Sequence, residues 1–252
     1  MPTAELTALM LAAVRAAAWL VIAPPFSGRM IPATVKALLS VAIALPMVPS
    51  LVGHAPDPSS PLLVVSLVEQ VVIGTALGFL TSLLFSAIQA AGNLVDLFGG
   101  FSVAVAFDPF GASGNGGSAV FGRFYSVLAV TLLFVTDGHQ LVLRGFARSY
   151  RALPLDGVMS LHGLQELMTG GLVQMFVAAL QIAGPLAAVL FCADIGLGLL
   201  NRAAPALNVL TLGFPVKILV TLSAAGMAIA LLPHALTNLV DVTVRAVAAV
   251  TP

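Results

Sequence analysis

Charge is what this sequence has least of. Only 8% of its 252 residues are Asp, Glu, Lys or Arg, against roughly 25% in soluble globular domains. So few charges do not cover the surface of a soluble fold, and the apolar excess must face lipid or other apolar proteins in a large assembly. Basic and acidic residues balance at ten each. No basic run and no basic–aromatic interleaving is present, which argues against nucleic acid as a partner. The single cysteine, Cys192, excludes an internal disulfide and leaves the redox compartment unread. Inside an apolar run, it reads as a small buried apolar residue. The four histidines, His54, His139, His162 and His234, lie far apart, with no H-E-x-x-H and no Cys–His cluster. P-loop and G-x-S-x-G motifs are missing too. No catalytic set, metal site or cofactor is expected.

What the chain has in quantity is apolar sequence: 60% hydrophobic residues and a mean hydropathy of +1.09. The N-terminus carries Glu5 and no basic residue before Leu6, where a cleaved signal wants positive charge. The first apolar segment is therefore read as retained. Roughly six segments approach the length and apolarity of a membrane span: Leu6–Ala23, Val35–Leu51, Leu62–Ile88, Ala119–Thr136, Leu172–Leu200 and Val209–Leu232. Backbone in lipid must satisfy its own hydrogen bonds, so these are expected to be helices, and the fold class is all-α and polytopic. Pro24, Pro25 and Gly28 end the first segment, and Pro46, Pro49 and the proline-rich 56–61 stretch end the second.

The linkers differ in kind. His54–Ser60 is short and polar, and Gly111–Ser118 (GASGNGGS) reads as a mobile glycine-rich loop. Asp137–Gln165 is the longest polar stretch and carries Arg144, Arg148 and Arg151 at i, i+4, i+7, one face of a helix. Asp137-Gly138-His139 has the form of a helix-end turn, with Asp able to cap. Strict alternation of the six segments puts the Arg29/Lys36 linker and the Arg144–Arg151 linker on opposite sides, although the positive-inside rule wants both on one. Either the count is off by one or the segments do not all span in the ordinary way.

Polar residues within apolar helices are costly and need partners, at ~2.5–3.5 kcal/mol for a charge at a helix centre. Glu69 precedes a G-x-x-x-G pair, Gly74 and Gly78, which lets another helix approach closely. Helix packing is one reading of the pair; Glu69 bonding a neighbouring subunit is the other. Gln89, Asn93 and Asp96 form a polar stripe on one helical face. It marks either the helix leaving the membrane or a seam against other subunits or a water-filled pore. Asp194 and Arg202, about two turns apart, point to one partner surface or to neutralisation through another helix. A proton relay would need a chain of such groups, and only isolated acids are present.

Several blocks resemble one family along nearly the whole chain. They are Ala23-Pro-Pro-Phe-Ser-Gly-Arg-Met-Ile-Pro32, Glu69…Gly74…Gly78-Phe79, and Gln89-Ala-Ala-Gly92-Asn-Leu-Val-Asp96 with Gly99 and Phe107-Asp108-Pro109. Asp137-Gly138-His139 with Ser149…Pro154 follows. The most specific block is Gly196-Leu-Gly-Leu-Leu-Asn201-Arg202-Ala-Ala-Pro205-Ala-Leu-Asn208, then Gly213-Phe-Pro215-Val-Lys217. In order and content these resemble the FliR family of type III export-gate subunits. Ala206 departs from the pattern, which usually has Gln there.

The resemblance implies a non-enzymatic, pore-forming subunit of the flagellar export gate in the bacterial inner membrane, at the flagellar basal body. A homologous subunit of a virulence-type injectisome is the alternative. Its implied partners are FliP-like, FliQ-like and FlhB-like subunits and unfolded export substrates. It also implies a FliP-like part over 1–168 and a FliQ-like helical hairpin over 169–252. Phe107, Asp108, Pro109, Phe110, Gly111, Gly114, Gly116 and Gly117 fall where the family has a plug. Glu69, Gly74, Gly78, Gln89, Asn93, Asp96, Asp194, Asn201, Arg202, Asn208 and Lys217 fall where subunit contacts are expected. A small-solute transporter would favour two similar halves with matching broken helices, which the sequence does not display, and an intramembrane enzyme would need a nucleophile–base pair or metal ligands.

Overall fold

A computed structural model describes residues 3–28, 31–101, 119–157, 160–203, 209–229 and 232–248. Every regular element among them is helical, as the lipid argument requires. In chain order these are α1 (Thr3–Ile22), α2 (Ala33–Ala44), α3 (Leu62–Gly99), α4 (Val120–Val135), α5 (Gly138–Ala152), α6 (Leu161–Ala203), α7 (Val209–Ile229) and α8 (Leu232–Ala248). Helix α1 stops two residues before Pro24-Pro25. Past α2, Pro46 and Pro49 chop the chain into single turns as far as His54, since proline removes a backbone donor and crowds the preceding turn. Asp137, the residue before α5, takes a left-handed φ of 56°, the turn the Asp-Gly pair announces. Its carboxylate accepts from Gln140 Nε2 at 3.1 Å rather than from a backbone N–H of α5.

Among the described residues, four helical stretches are long and apolar enough to cross a membrane, or up to five if α4 and α5 together make one broken span, beside the roughly six segments read from the sequence. Alone, the 16 residues of α4 reach about 24 Å, short of a hydrocarbon core of roughly 30 Å. Helices α3 and α6, of 38 and 43 residues, reach about 57 and 65 Å, roughly twice that core. An alternation rule written for helices that fit the bilayer does not apply to elements of this length.

The chain forms two compact units. One comprises Met1–Leu84, Asp137–Gln174 and Val240–Pro252; the other comprises Phe85–Thr136 and Met175–Leu239. Helices α3 and α6 each contribute to both. The expected boundary at 168/169 falls inside the continuous helix α6.

In the first unit, α1 is the central element. Its buried side is built of Ala8, Ala12 and Ala16 with Leu11, Trp19 and Leu20, at helical spacing. Helix α2 packs on α1, yet only 17% of the apolar window within Ala33–His54 is buried, so most of that surface needs a cover of lipid or protein. In the second unit, Ile88, Ala91 and Val95 of α3 and Phe121, Tyr125 and Ala129 of α4 are buried. Helix α6 exposes Phe176, Leu180, Phe191, Ile195 and Leu199. Cys192 shares that surface and is exposed, contrary to the buried position read from its apolar neighbours; apolar context within one helix does not reveal which side has a packing partner.

Candidate functional site

Among the described residues, the most densely bonded polar site lies in the first unit, around a residue the motif reading passed over. Arg15 sits in the middle of α1 and is fully buried. Its Nε donates to Gln70 Oε1 of α3 at 2.7 Å. One terminal nitrogen donates to the Ser149 carbonyl at 3.1 Å, with Ser149 Oγ at 3.5 Å, and the other donates to the Leu153 carbonyl at 2.8 Å. Ser149 lies in the last turn of α5 and its carbonyl also accepts from the Leu153 N–H at 2.8 Å, while Leu153 is the residue that follows α5; at this end of a helix the dipole favours a cation. The guanidinium also lies 4.4 Å from the centre of the Tyr150 ring, a cation–π distance. The Tyr150 hydroxyl donates back to the Ala12 carbonyl at 2.8 Å. Arg15 thus caps α5 from another helix. Gln70 Nε2 is buried with no hydrogen-bond partner among the described residues.

Two further contacts close this site. Trp19 stacks on Phe146 of α5, centroids 4.7 Å apart, and its Nε1 donates to Thr81 Oγ1 of α3 at 3.1 Å. The G-x-x-x-G pair packs on α1 of the same chain. A Cβ at Gly74 would collide with the Arg15 carbonyl and lie 2.8 Å from Ala18 Cβ; one at Gly78 would lie 2.9 Å from Ile22 Cβ. Close approach of a helix is what the pair was read to allow, but α1 takes the place assigned to another subunit. Glu69, one residue before Gln70, is half-buried.

In the second unit the polar stripe divides. Gln89 and Asn93 are exposed, whereas Asp96 is buried. The Asp96 carboxylate accepts from the backbone N–H groups of Phe121 and Gly122 at 3.1 and 3.0 Å. These are orphan donors in the first turn of α4, whose own N-cap residue, Ala119, has no side chain to offer. The approach depends on glycine on both sides. A Cβ at Gly92 would lie 2.5 Å from the Phe121 carbonyl oxygen, and one at Gly122 would collide with Asn93 Oδ1. Asp96→Ala removes both acceptors and should destabilise the chain by about 1–2 kcal/mol, the range of a lost N-cap. Asp96→Asn keeps one carbonyl oxygen and should fall between. The measurement is the thermal midpoint of the detergent-solubilised protein; an Ala variant melting with wild type would refute the cap.

Asp194 was expected either to share a partner surface with Arg202 or to be neutralised through another helix. It pairs with Lys217 of α7, Nζ lying 2.6 Å from Oδ1 and 2.8 Å from Oδ2. Arg202 and Asn201 are exposed. The plug-type stretch 107–117 and Asn208 lie outside the described residues. Arg15, Gln70 and Tyr150 were absent from the sequence candidates. For Arg15 the signal was available: a lone arginine in a 20-residue apolar helix needs partners. Gln70 and Tyr150 carry no such mark.

The sequence profile of the bacterial export proteins, family 1, matches residues 6–243. The chain is 34% identical over 226 residues to the flagellar biosynthetic protein FliR of Pectobacterium carotovorum subsp. carotovorum, covering 87% of this chain and 83% of that protein. It is 32% identical over 203 residues to flagellar biosynthetic protein FliR of Escherichia coli strain K12, covering 80% and 76%. It is 28% identical over 155 residues to the secretion system apparatus protein SsaT of Salmonella typhimurium, covering 61% and 58%.

Proposed function

The chain belongs to the bacterial export proteins, family 1, and on that footing we propose that it is a membrane-embedded structural component of flagellar type III protein export. The observation that carries the reading is the 34% identity to a flagellar relative across most of both chains. Similarity to the secretion-system relative is lower and covers less of this chain, which favours flagellar over virulence cargo. The apolar surfaces of α2 and α6 and the internal capping of ionised groups support a protein that completes itself against lipid and other subunits.

The finer reading is a pore-forming subunit of the inner-membrane export gate, joined to FliP-like, FliQ-like and FlhB-like chains and passing unfolded substrates. Within it, 1–168 is the FliP-like part and 169–252 the FliQ-like hairpin. Residues 107–117, with Phe107 and Phe110 flanking the Asp108-Pro109 turn, form an apolar plug that blocks ions and yields to a passing chain. Glu69, Gln89, Asn93, Asn201, Arg202 and Asn208 meet neighbouring subunits, and the Asp194–Lys217 pair sets the spacing of the hairpin arms. No catalytic step is part of this role.

Deleting the gene should stop swimming and keep flagellin out of the medium, and plasmid-borne wild type should restore both. A tagged chain should co-purify with the other gate subunits. Deleting residues 110–117 should preserve that complex while the cells become leaky to small ions. Normal motility in the null strain would rule out the export role. An intact complex with unchanged conductance and secretion in the loop deletion would remove the plug assignment alone.

A further inference from the structure

Helix α5 differs from its neighbours in charge. Three of the chain's ten basic residues, Arg144, Arg148 and Arg151, lie within its 15 residues, and no acidic residue does. All three arginines are exposed. The opposite side is buried through Gly145, Phe146, Ser149 and Tyr150. That side is locked onto α1 by the Arg15 hydrogen bonds and the Trp19–Phe146 stack, so the helix cannot roll its arginines inward.

No described carboxylate forms an ion pair with them. Asp156 lies 3.2 Å from His54 Nδ1, and Asp137 takes the Gln140 side chain. Along the axis, Arg144 to Arg151 covers about 10 Å. The chain enters α5 directly from α4, whose Val127, Phe134 and Val135 are exposed apolar residues suited to lipid. An exposed basic face on a helix that itself starts three residues after an apolar helix ends belongs at the depth of the headgroups.

We propose that the Arg144/Arg148/Arg151 face is a binding surface for anionic phospholipid headgroups, which anchors and orients α5 at the membrane surface. Guanidinium groups suit phosphate because they present paired donors in one plane. The recognised feature is the phosphate diester with its net negative charge, so a zwitterionic lipid should not compete. The assignment requires membrane embedding and is independent of which cargo the apparatus exports.

The test uses the full chain solubilised from native membranes with whatever subunits accompany it. It is exchanged into mixed micelles containing equal amounts of phosphatidylglycerol and phosphatidylcholine, and native mass spectrometry counts the lipids retained. Wild type should retain phosphatidylglycerol over phosphatidylcholine by at least roughly tenfold, and less so as salt rises. The triple variant R144Q/R148Q/R151Q should lose the preference while keeping its melting midpoint in lipid-free detergent; R144K/R148K/R151K should keep most of it. No preference in wild type, or an unchanged preference in the glutamine variant, would overturn the proposal. If the glutamine variant sheds an accompanying subunit and keeps its lipid preference, the face is a protein contact. A loss of export function in the null strain is read independently, so failure here and failure of the export reading are separable.

Discussion

Gly74→Leu should abolish accumulation of the chain in membranes. The crossing of α1 and α3 brings the Arg15 carbonyl so close to Gly74 that even a methyl group collides with backbone. Backbone inside a helix cannot swing aside as a side-chain end can. Ala18 Cβ, 2.8 Å from the same point, blocks the alternative direction. Overpacking a close-packed interior typically costs about 1–3 kcal/mol, and more when backbone must shift. The shift here would also pull Arg15 from Gln70 and the end of α5. Gly170→Ala is the control: a Cβ there meets nothing within 4 Å, and alanine is a better helix former by about 1 kcal/mol. Immunoblots of washed membranes should show wild-type amounts for Gly170→Ala and little or no chain for Gly74→Leu. Equal amounts of all three would mean that the α1–α3 crossing is not as close as described.

Arg15→Ala should have the next largest effect, and two opposing terms decide its sign. Removing the guanidinium relieves the cost of a buried cation, about 3 kcal/mol on insertion scales. It also leaves Gln70 Oε1 and the Leu153 carbonyl without their donor, while the Ser149 carbonyl keeps only the Leu153 N–H. A buried acceptor left alone costs about 1–3 kcal/mol, and loss of the Tyr150 contact adds about 0.5–2 kcal/mol. The losses outweigh the relief, so the variant should be destabilised and its chain degraded. Arg15→Lys should recover only part, because an ammonium on one stem cannot reach three acceptors held in the plane of a fork. The double change Arg15→Met/Gln70→Leu is informative. It turns one contact apolar but leaves the Leu153 carbonyl at the end of α5 without its donor, so it should not restore wild-type abundance. Limited proteolysis in membranes, with fragments mapped to α5, is the measurement. Full protection of α5 in Arg15→Ala would show that the last turn of α5 does not depend on Arg15.

Much of this protein is legible one segment at a time. Scarce charge and long apolar runs dictate a membrane class, because the free energy of placing each residue in lipid is largely a property of that residue. Helix follows because backbone in lipid must satisfy itself. Proline clusters mark where the early helices stop, and the Asp137-Gly138 pair marks a turn, because φ restrictions are local too. The ordered motifs, above all Gly196 to Lys217, carried the family resemblance without any coordinates.

Partnership is not local, and the sequence alone left it open. Asp194 and Arg202 stand on one helix about 12 Å apart along its axis, while Lys217, 23 positions away, comes within 2.6 Å of Asp194 from the neighbouring helix. Asp96 reads as one member of a polar stripe until α4 brings its free N–H groups to the carboxylate. Gly74 and Gly78 announce a close helix crossing but not that α1 makes it. The 168/169 position lies within the continuous helix α6, since a helix once begun continues wherever its hydrogen bonds do. Sequence by itself determined the solvent, the secondary structure and the family of this chain, all of which are sums over neighbouring residues. Only the tertiary structure decided which ionised group neutralises or caps which helix, because that depends on crossings between segments tens to more than a hundred residues apart, and no periodicity within one segment identifies the segment that crosses it.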